Sequence, residues 1–110
     1  MEKFPQKGEY IFVSLDPTRG HEQSGTRPAL VISSNRLNRY GMVIVLPITH
    51  TTKGPLRIVI PDGEAVDGAI LFTQPKTLDV RERGYRSAGF ASDDVLEEAI
   101  GKAVVILTED

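Results

Sequence analysis

Two apolar runs and the polar stretch that joins them decide the fold of this chain. The runs are Tyr10-Ile-Phe-Val-Ser-Leu15 and Ala29-Leu-Val-Ile32, and the stretch between them reads Asp16-Pro-Thr-Arg-Gly-His-Glu-Gln-Ser-Gly-Thr-Arg-Pro28. Both runs are rich in β-branched and aromatic residues, which predicts two strands. A connection of 13 residues is long for a small domain, and connections of that length are usually functional or disordered.

The side chains of this connection favour a functional loop. Arg19 and Arg27 carry the planar donor fork that fits a phosphate. His21 and Glu22 are residue types that often transfer protons in enzymes. The loop therefore predicts a site for a phosphodiester.

The composition predicts a small globular domain. With 110 residues, of which 40% are hydrophobic and 25% charged, the chain suits one domain over residues 1–110. It contains no apolar run near the roughly 20 residues of a membrane helix and no charged-then-apolar leader. We therefore expect no membrane association and a cytoplasmic location.

The absence of cysteine narrows the possible chemistry. It excludes disulfides, thiolate metal sites and a cysteine nucleophile, and it fits a reducing cytosol. The two histidines, His21 and His50, are too few for a convincing catalytic zinc site, although carboxylates can add ligands. We expect neither a metal nor another cofactor.

The net charge of −2 conceals an uneven distribution. Residues 92–110 hold six acidic residues and one basic residue, whereas residues 1–91 hold twelve basic against nine acidic residues, a net charge of +3. An acidic tail on one face would leave a basic surface for a nucleic acid. Two ordinary solvated faces explain the same charges, so both readings stay open at this point.

Further short strands are predicted along the middle of the chain. Pro28 is expected to open the second strand, since proline suits a first position, and Asn35–Gly41 to form a turn or one helical turn. Turn signals fall at Pro61-Asp-Gly63 and Asp67-Gly68. The other predicted strands are Met42–Ile48, with Pro47 at its end or at a bulge, Arg57–Ile60, Ala69–Phe72 and Tyr85–Phe90.

The last segment has the period of a helix. Ser92 is a good N-cap, and Asp93 and Asp94 occupy the first turn, where the helix dipole favours acids. Apolar residues then recur at helical spacing at Leu96, Ala99, Ile100, Ala103, Val104 and Leu107. Strands followed by one helix predict a small barrel or curled sheet with the helix over one opening.

Four segments, in order, resemble the MazF/PemK-type toxins, the ribonucleases of toxin–antitoxin pairs. They are Gly8-Glu-Tyr-Ile-Phe-Val13, the loop and strand from Asp16 to Val31, Pro47-Ile-Thr49 followed by Lys53-Gly54, and Gln74-Pro-Lys-Thr-Leu-Asp79 followed by Arg81-Glu-Arg-Gly84. The last of these resembles the fifth-strand motif of the family. The resemblance extends from about Gly8 to Leu107, and the loop motif is long and specific.

The resemblance implies a fold, an activity and partners. The expected fold is an SH3-like small β-barrel with a C-terminal α-helix. The expected activity is metal-independent, sequence-specific cleavage of single-stranded RNA, in which the ribose 2′-hydroxyl attacks the adjacent phosphorus. Relatives are homodimers that bind RNA in a groove along the dimer interface. A cognate MazE/PemI-like antitoxin with an acidic C-terminal tail is the implied protein partner.

Four residues are candidates for catalysis on this resemblance. Arg27 matches the family's catalytic arginine and Thr49 its catalytic threonine, so the two would contact the scissile phosphate. Glu22 either acts as general base or holds Arg27 in place. His21 matches a histidine that a plasmid-borne branch uses with an arginine and an aspartate, but here those positions hold Leu71 and Thr73, so that mechanism does not transfer whole.

The remaining candidates are predicted to bind RNA. Gln23 is expected to hydrogen-bond a base edge or the loop backbone, and His50 has no family role. The full set of predicted RNA-binding residues is Arg19, Gln23, Thr51, Thr52, Lys53, Gln74, Lys76, Arg81, Arg83 and Arg86.

Two other functions are weighed against the nuclease. One is a gyrase poison of the CcdB type, a group with a C-terminal Trp-Gly-Ile ending; this chain has no tryptophan and ends Leu107-Thr-Glu-Asp110. The other is a non-catalytic SH3-like module that binds RNA or an acidic peptide, against which Arg27 and Thr49 argue.

Overall fold

The computed structural model describes residues 3–15 and 26–109. Within them the chain forms seven strands and three helices. In order these are β1 (Glu9–Ser14), β2 (Thr26–Val31), α1 (Asn35–Asn38), β3 (Met42–Thr49), β4 (Ile58–Val59), β5 (Ala69–Ile70), β6 (Lys76–Asp79), α2 (Val80–Arg83), β7 (Arg86–Phe90) and α3 (Asp93–Thr108).

The strands form one antiparallel sheet around β3. The order is β4-β5-β3-β2-β1-β7. β6 pairs with the same edge of β3 as β5, but at the start of β3, whereas β5 pairs with its end. β3 is the longest strand and almost entirely apolar, which suits a strand with neighbours on both edges. Among the described residues no ladder joins β4 to β7, so the barrel-like sheet is open rather than closed.

The structure corrects the predicted start of the second strand. β2 begins at Thr26 rather than Ala29, and Pro28 is its third residue, paired with Phe12 of β1. The ladder between β2 and β3 begins only at Ala29. Residues 26–28 therefore pair on one side alone, a position that tolerates a residue without an N–H.

Residue patterns alone predicted neither β6 nor α2. The resemblance to the family's fifth-strand motif did indicate a strand in the segment that forms β6. β6 has four residues, of which only Leu78 is buried, so it shows almost no apolar alternation. α2 has a local signal: the Asp79 carboxylate accepts hydrogen bonds from the N–H groups of Arg81 and Glu82, at 3.0 and 3.1 Å. Such a cap stabilises a helix start, but one turn is too short to be read as a helix from its period.

The sheet carries an apolar cluster on each face. The helix-side core contains Tyr10, Leu30, Leu46, Ile48, Ile58, Ile60, Val66, Ile70, Phe72, Val95 and Ala99. The far-side core contains Ile11, Val13, Ala29, Val31, Val43, Val45, Leu78 and Val80. Neighbouring residues of a strand alternate between the two clusters, as the pleat requires.

Helix α3 covers the helix-side core with its first three turns. The predicted cap is confirmed, since the Ser92 hydroxyl oxygen accepts the Val95 N–H at 3.3 Å. Ala99 and Ala103 are buried as expected, but Val104 and Leu107 are 49% and 70% exposed. The helical period identified a continuous apolar stripe, yet no residue after Ala103 is buried within the described part of α3. Periodicity does not reveal how much surface lies beneath a helix.

A polar clamp of Tyr10, Glu64 and Ser92 ties this helix to the sheet. The buried Tyr10 hydroxyl donates to Glu64 Oε1 at 2.6 Å, and the Ser92 N–H donates to the same oxygen at 3.3 Å. Burial, followed by the Glu64 carboxylate, raises the pKa of Tyr10. Burial opposes ionisation of Glu64, but the hydrogen bonds from Tyr10 and Ser92 outweigh it and lower the pKa of that carboxyl.

Candidate active site

The register of the central ladder, extended past its last pair, aligns Arg27 with Thr49. β2 and β3 pair Val31 with Val45 and Ala29 with Pro47. Continued by two residues, this register sets Arg27 opposite Thr49. Side chains at facing positions of an antiparallel pair lie on the same face of the sheet. The two residues therefore lie on the same face of the sheet as the far-side core, just beyond the end of the ladder.

Arg27 stands at the rim of the sheet with its side chain in solvent. It is exposed, and its backbone pairs with Val13 of β1. The ladder to β3 has stopped two residues earlier, so the strand edge that faces Thr49 is open. No ion pair joins the Arg27 guanidinium to any residue in the described ranges. Its donors are thus available for an anion such as a phosphate.

Thr49 is half-buried and its hydroxyl is oriented by the following loop. The hydroxyl oxygen accepts the Thr51 N–H at 3.2 Å. Arg57 fixes this loop by donating to the Thr51 carbonyl at 2.6 Å. Because the backbone donor occupies a lone pair of the hydroxyl, the O–H hydrogen can turn outward and donate to a phosphoryl oxygen.

Gly68 lies close to the backbone of Thr49, where β5 approaches β3. Its φ is +123°, and a Cβ built there would collide with the Thr49 carbonyl oxygen. β5 can approach β3 here only because position 68 has no side chain. The dipeptide Asp67-Gly68 was read from sequence as a turn, but its role in positioning Thr49, like that of Arg57, had no sequence signal.

Four of the predicted site residues lie outside the described residues. They are Arg19, His21, Glu22 and Gln23. Their predicted roles remain predictions, including the choice between Glu22 and His21 as general base.

The structure brings some of the RNA-binding candidates close to Arg27 and Thr49. Thr51, Thr52 and Lys53 are exposed in the loop that follows Thr49. Arg83 donates to the Ser14 carbonyl at 2.5 Å, at the end of β1. Arg86 stacks over the ring of Phe12 at 4.6 Å, and Phe12 neighbours Val13, the partner of Arg27. Arg83 and Arg86 therefore lie at the end of β1 that pairs with the start of β2.

The other candidates lie farther away. Lys76 is exposed and pairs with Val45, which lies four residues before Thr49 in β3. Gln74 is exposed just before β6. Arg81 lies over Gly41, beside a different cavity that Lys3 and Arg39 also line. His50 is exposed next to Thr49.

Residues 3–15 and 26–109 lack two features that would point to other functions. They contain no group of three histidine, aspartate or glutamate side chains placed to hold a metal ion. Nor do they include a helix long and apolar enough to cross a membrane.

An open antiparallel barrel-like sheet with a C-terminal helix over one face agrees with the SH3-like fold that the sequence predicted. The chain belongs to the family of PemK-like, MazF-like toxins of type II toxin–antitoxin systems, whose family model matches residues 6–107. This confirms the resemblance that the loop and strand motifs indicated.

Named relatives agree with that assignment over most of their length. Endoribonuclease PemK of Escherichia coli is 34% identical over 109 residues, which cover 94% of this chain and 82% of the relative. Endoribonuclease toxin MazF of Escherichia coli K12 is 36% identical over 105 residues, 94% of each chain. The MazE–MazF crystal structure from Deinococcus radiodurans (Form-II) superposes with a TM-score of 0.83 at 29% identity, covering 99% of this chain and 100% of the other. The predicted membership in an endoribonuclease family is confirmed.

Proposed function

We propose that this chain is a toxin that cleaves single-stranded RNA, messenger RNA above all, at short sequences without a metal ion. The observation that carries the proposal is the register that sets Arg27 opposite Thr49 at the open end of the sheet. The endoribonuclease names of its relatives support the same activity.

The reaction takes its nucleophile from the substrate. The ribose 2′-hydroxyl loses its proton to a general base and attacks the adjacent phosphorus. The bond from phosphorus to the 5′-oxygen breaks, and that oxygen takes a proton as it leaves. The products are a 2′,3′-cyclic phosphate and a 5′-hydroxyl end. No serine or cysteine nucleophile is needed, which fits a chain without cysteine.

Arg27 and Thr49 would stabilise the charge that develops on the phosphoryl oxygens. The guanidinium supplies a permanent positive charge with paired donors, and the Thr49 hydroxyl supplies one more donor, oriented through Thr51. Donors placed in advance where charge develops give one of the largest contributions to catalysis. Glu22 or His21 is the proposed general base.

The proposed partners are a second copy of the chain and an antitoxin. A MazF relative forms a complex with MazE, and we propose a MazE/PemI-like antitoxin whose acidic C-terminal tail occupies the basic groove of a homodimer. Such binding should weaken as salt rises, since surface charges are screened over about 8 Å at physiological ionic strength. The RNA substrate implies that the toxin acts in the cytoplasm.

The test is a cleavage assay with defined RNA ends. Purified protein is incubated with a mixed RNA pool in excess EDTA, and the product ends are analysed. Continued cleavage with 2′,3′-cyclic phosphate ends supports the proposal, and an RNA with 2′-deoxyribose at the cut should resist. Cleavage of that deoxy substrate would refute the mechanism, and RNA binding without cleavage would favour the non-catalytic module.

A further inference from the structure

Three neighbouring cavities on this molecule meet at one side chain, Tyr85. The first is lined by Val13, Thr26, Arg83 and Arg86 together with Tyr85, so it begins beside Arg27. The second contains Arg39 and Arg81, and the third lies between the N-terminal segment 3–9 and β7. Basic side chains therefore line the first two cavities, which share Tyr85 with the third.

The third cavity has aromatic walls. Its volume is about 660 Å³, and Phe4, Tyr85 and Phe90 line it. Phe90 is 58% exposed, so its ring is accessible to a ligand in the cavity. Aromatic rings that face a groove are the standard platforms on which unpaired bases stack.

A nearly buried carboxylate, Glu9, lies in the same cavity. Glu9 is 7% exposed and accepts the Gln6 N–H at 2.8 Å through Oε1. Burial, followed by the nearby Glu9 carboxylate, raises the pKa of Tyr85.

The distance of this carboxylate from Arg27 fits a flanking nucleotide. Val13 pairs with Arg27, and Glu9 is four positions before Val13 in β1, so their Cα atoms lie about 13 Å apart at the rise of a strand. A base in the cavity would therefore belong to a neighbour of the scissile nucleotide. Lys3, which lines the cavity as well, provides a cation for its phosphate.

We propose that this cavity is a specificity subsite for an unpaired nucleobase that carries an amino group. The base stacks on Phe90 and Tyr85, and its amino N–H donates to the Glu9 carboxylate, as carboxylates accept from base amino groups elsewhere. Uracil, which has no amino group, is disfavoured. The inference rests on the proposed RNA substrate and adds which base is selected, and where.

Two variants test the subsite. Glu9→Gln keeps an oxygen for the Gln6 N–H but removes the charge and adds a donor that suits a uracil carbonyl. Phe90→Ala removes a stacking surface at an exposed position where folding tolerates truncation. Glu97→Gln, an exposed acid on α3, is the matched control. Cut sites in a random RNA pool are sequenced for all four proteins.

We expect wild type and Glu97→Gln to select against uracil at one flanking position. Glu9→Gln should accept uracil there, and Phe90→Ala should lose preference at that same position. Unchanged preferences at every flanking position in both variants would overturn the subsite, even if cleavage itself is normal.

A binding assay separates this inference from the nuclease proposal. Single-stranded 2′-O-methyl RNAs, which cannot be cut by their own 2′-hydroxyls, each carry one abasic position. One flanking position should weaken wild-type binding by about fivefold or more, and Phe90→Ala should remove that dependence. A protein that binds in this pattern but never cleaves RNA retains the subsite and refutes the nuclease; a flat abasic series refutes the subsite.

Discussion

The two faces of the sheet differ in what borders their apolar clusters. The helix-side core is covered by α3, and its buried polar group, the Tyr10 hydroxyl, is satisfied by Glu64. Charged residues border the far-side core: Arg27 and Lys76, which are exposed, and Glu9, which is nearly buried. One face is built for stability. The other carries charge at its rim, where a ligand can reach it.

Truncation of the helix-side core should have the largest effect. Leu46 is fully buried there, so Leu46→Ala should lower the free energy of unfolding by about 2–5 kcal/mol. Leu56→Ala, at a site that is 57% exposed, should change it by less than about 0.5 kcal/mol. Chemical denaturation measures both. Activity per folded molecule should hold for Leu46→Ala; a selective loss of turnover would contradict the division between the faces.

Removal of Arg27 should show the reverse pattern. Arg27→Ala should lower turnover by roughly 10²–10³-fold, as loss of one donor to a developing oxyanion does, with the denaturation midpoint unchanged. Arg27→Lys should fall between, because it keeps the charge and loses the fork. Single-turnover cleavage measures the effect, with the exposed Arg36→Ala as control.

The contrast with His21 sharpens this result. His21→Ala should cost less than about tenfold, below the usual 10²–10⁴ of a full acid–base catalyst, because Leu71 and Thr73 replace its partners. A loss as large as that of Arg27→Ala, together with loss of a limb near pH 6.5 from the pH–rate profile, would instead assign a histidine mechanism.

Thr49 should have an intermediate effect. Thr49→Val removes the hydroxyl with little change in shape, and a hydrogen bond to a charged group contributes about 1.5–3 kcal/mol. Turnover should therefore fall about tenfold or more. Thr49→Ser keeps the hydroxyl and its bond from the Thr51 N–H, and should retain most activity. Equal losses in both variants would show that the methyl group, not the hydroxyl, matters.

The smallest effect is expected at the polar clamp. Hydrogen bonds in the folded state lower the pKa of Glu64 below 4.5, so its contribution to stability is present above that value and is lost as pH falls through the folded pKa. Glu64→Gln should melt below wild type at pH 7, and the gap should shrink toward pH 3. Thermal melts from pH 7 to 3 measure this, and a gap that widens in acid would contradict it.

Local sequence was sufficient for the parts of the molecule that repeat with a regular period. The strand around Tyr10, the apolar β3 and the Ser92-capped helix α3 were predicted because alternation, helical period and capping are properties of neighbouring residues. Arg27 and Thr49 were predicted as site residues from the family motifs, which preserve their order along the chain. The short β6 and the exposed end of α3 could not be predicted in this way. β6 has only one buried residue, which gives no period, and an apolar stripe on a helix does not reveal whether other residues cover it.

The sequence by itself determined the class of this protein: strands followed by a helix, and a family. Only the tertiary structure decided which of its polar residues meet. Arg27 and Thr49 are 22 positions apart in the chain, and the β2–β3 register, continued by two residues, sets them opposite each other; Gly68 fits against Thr49 because two strands approach closely. Glu9 and Phe90 share a cavity because β1 pairs with β7. Such contacts depend on pairing between distant segments, whose geometry is set by the packing of the whole sheet.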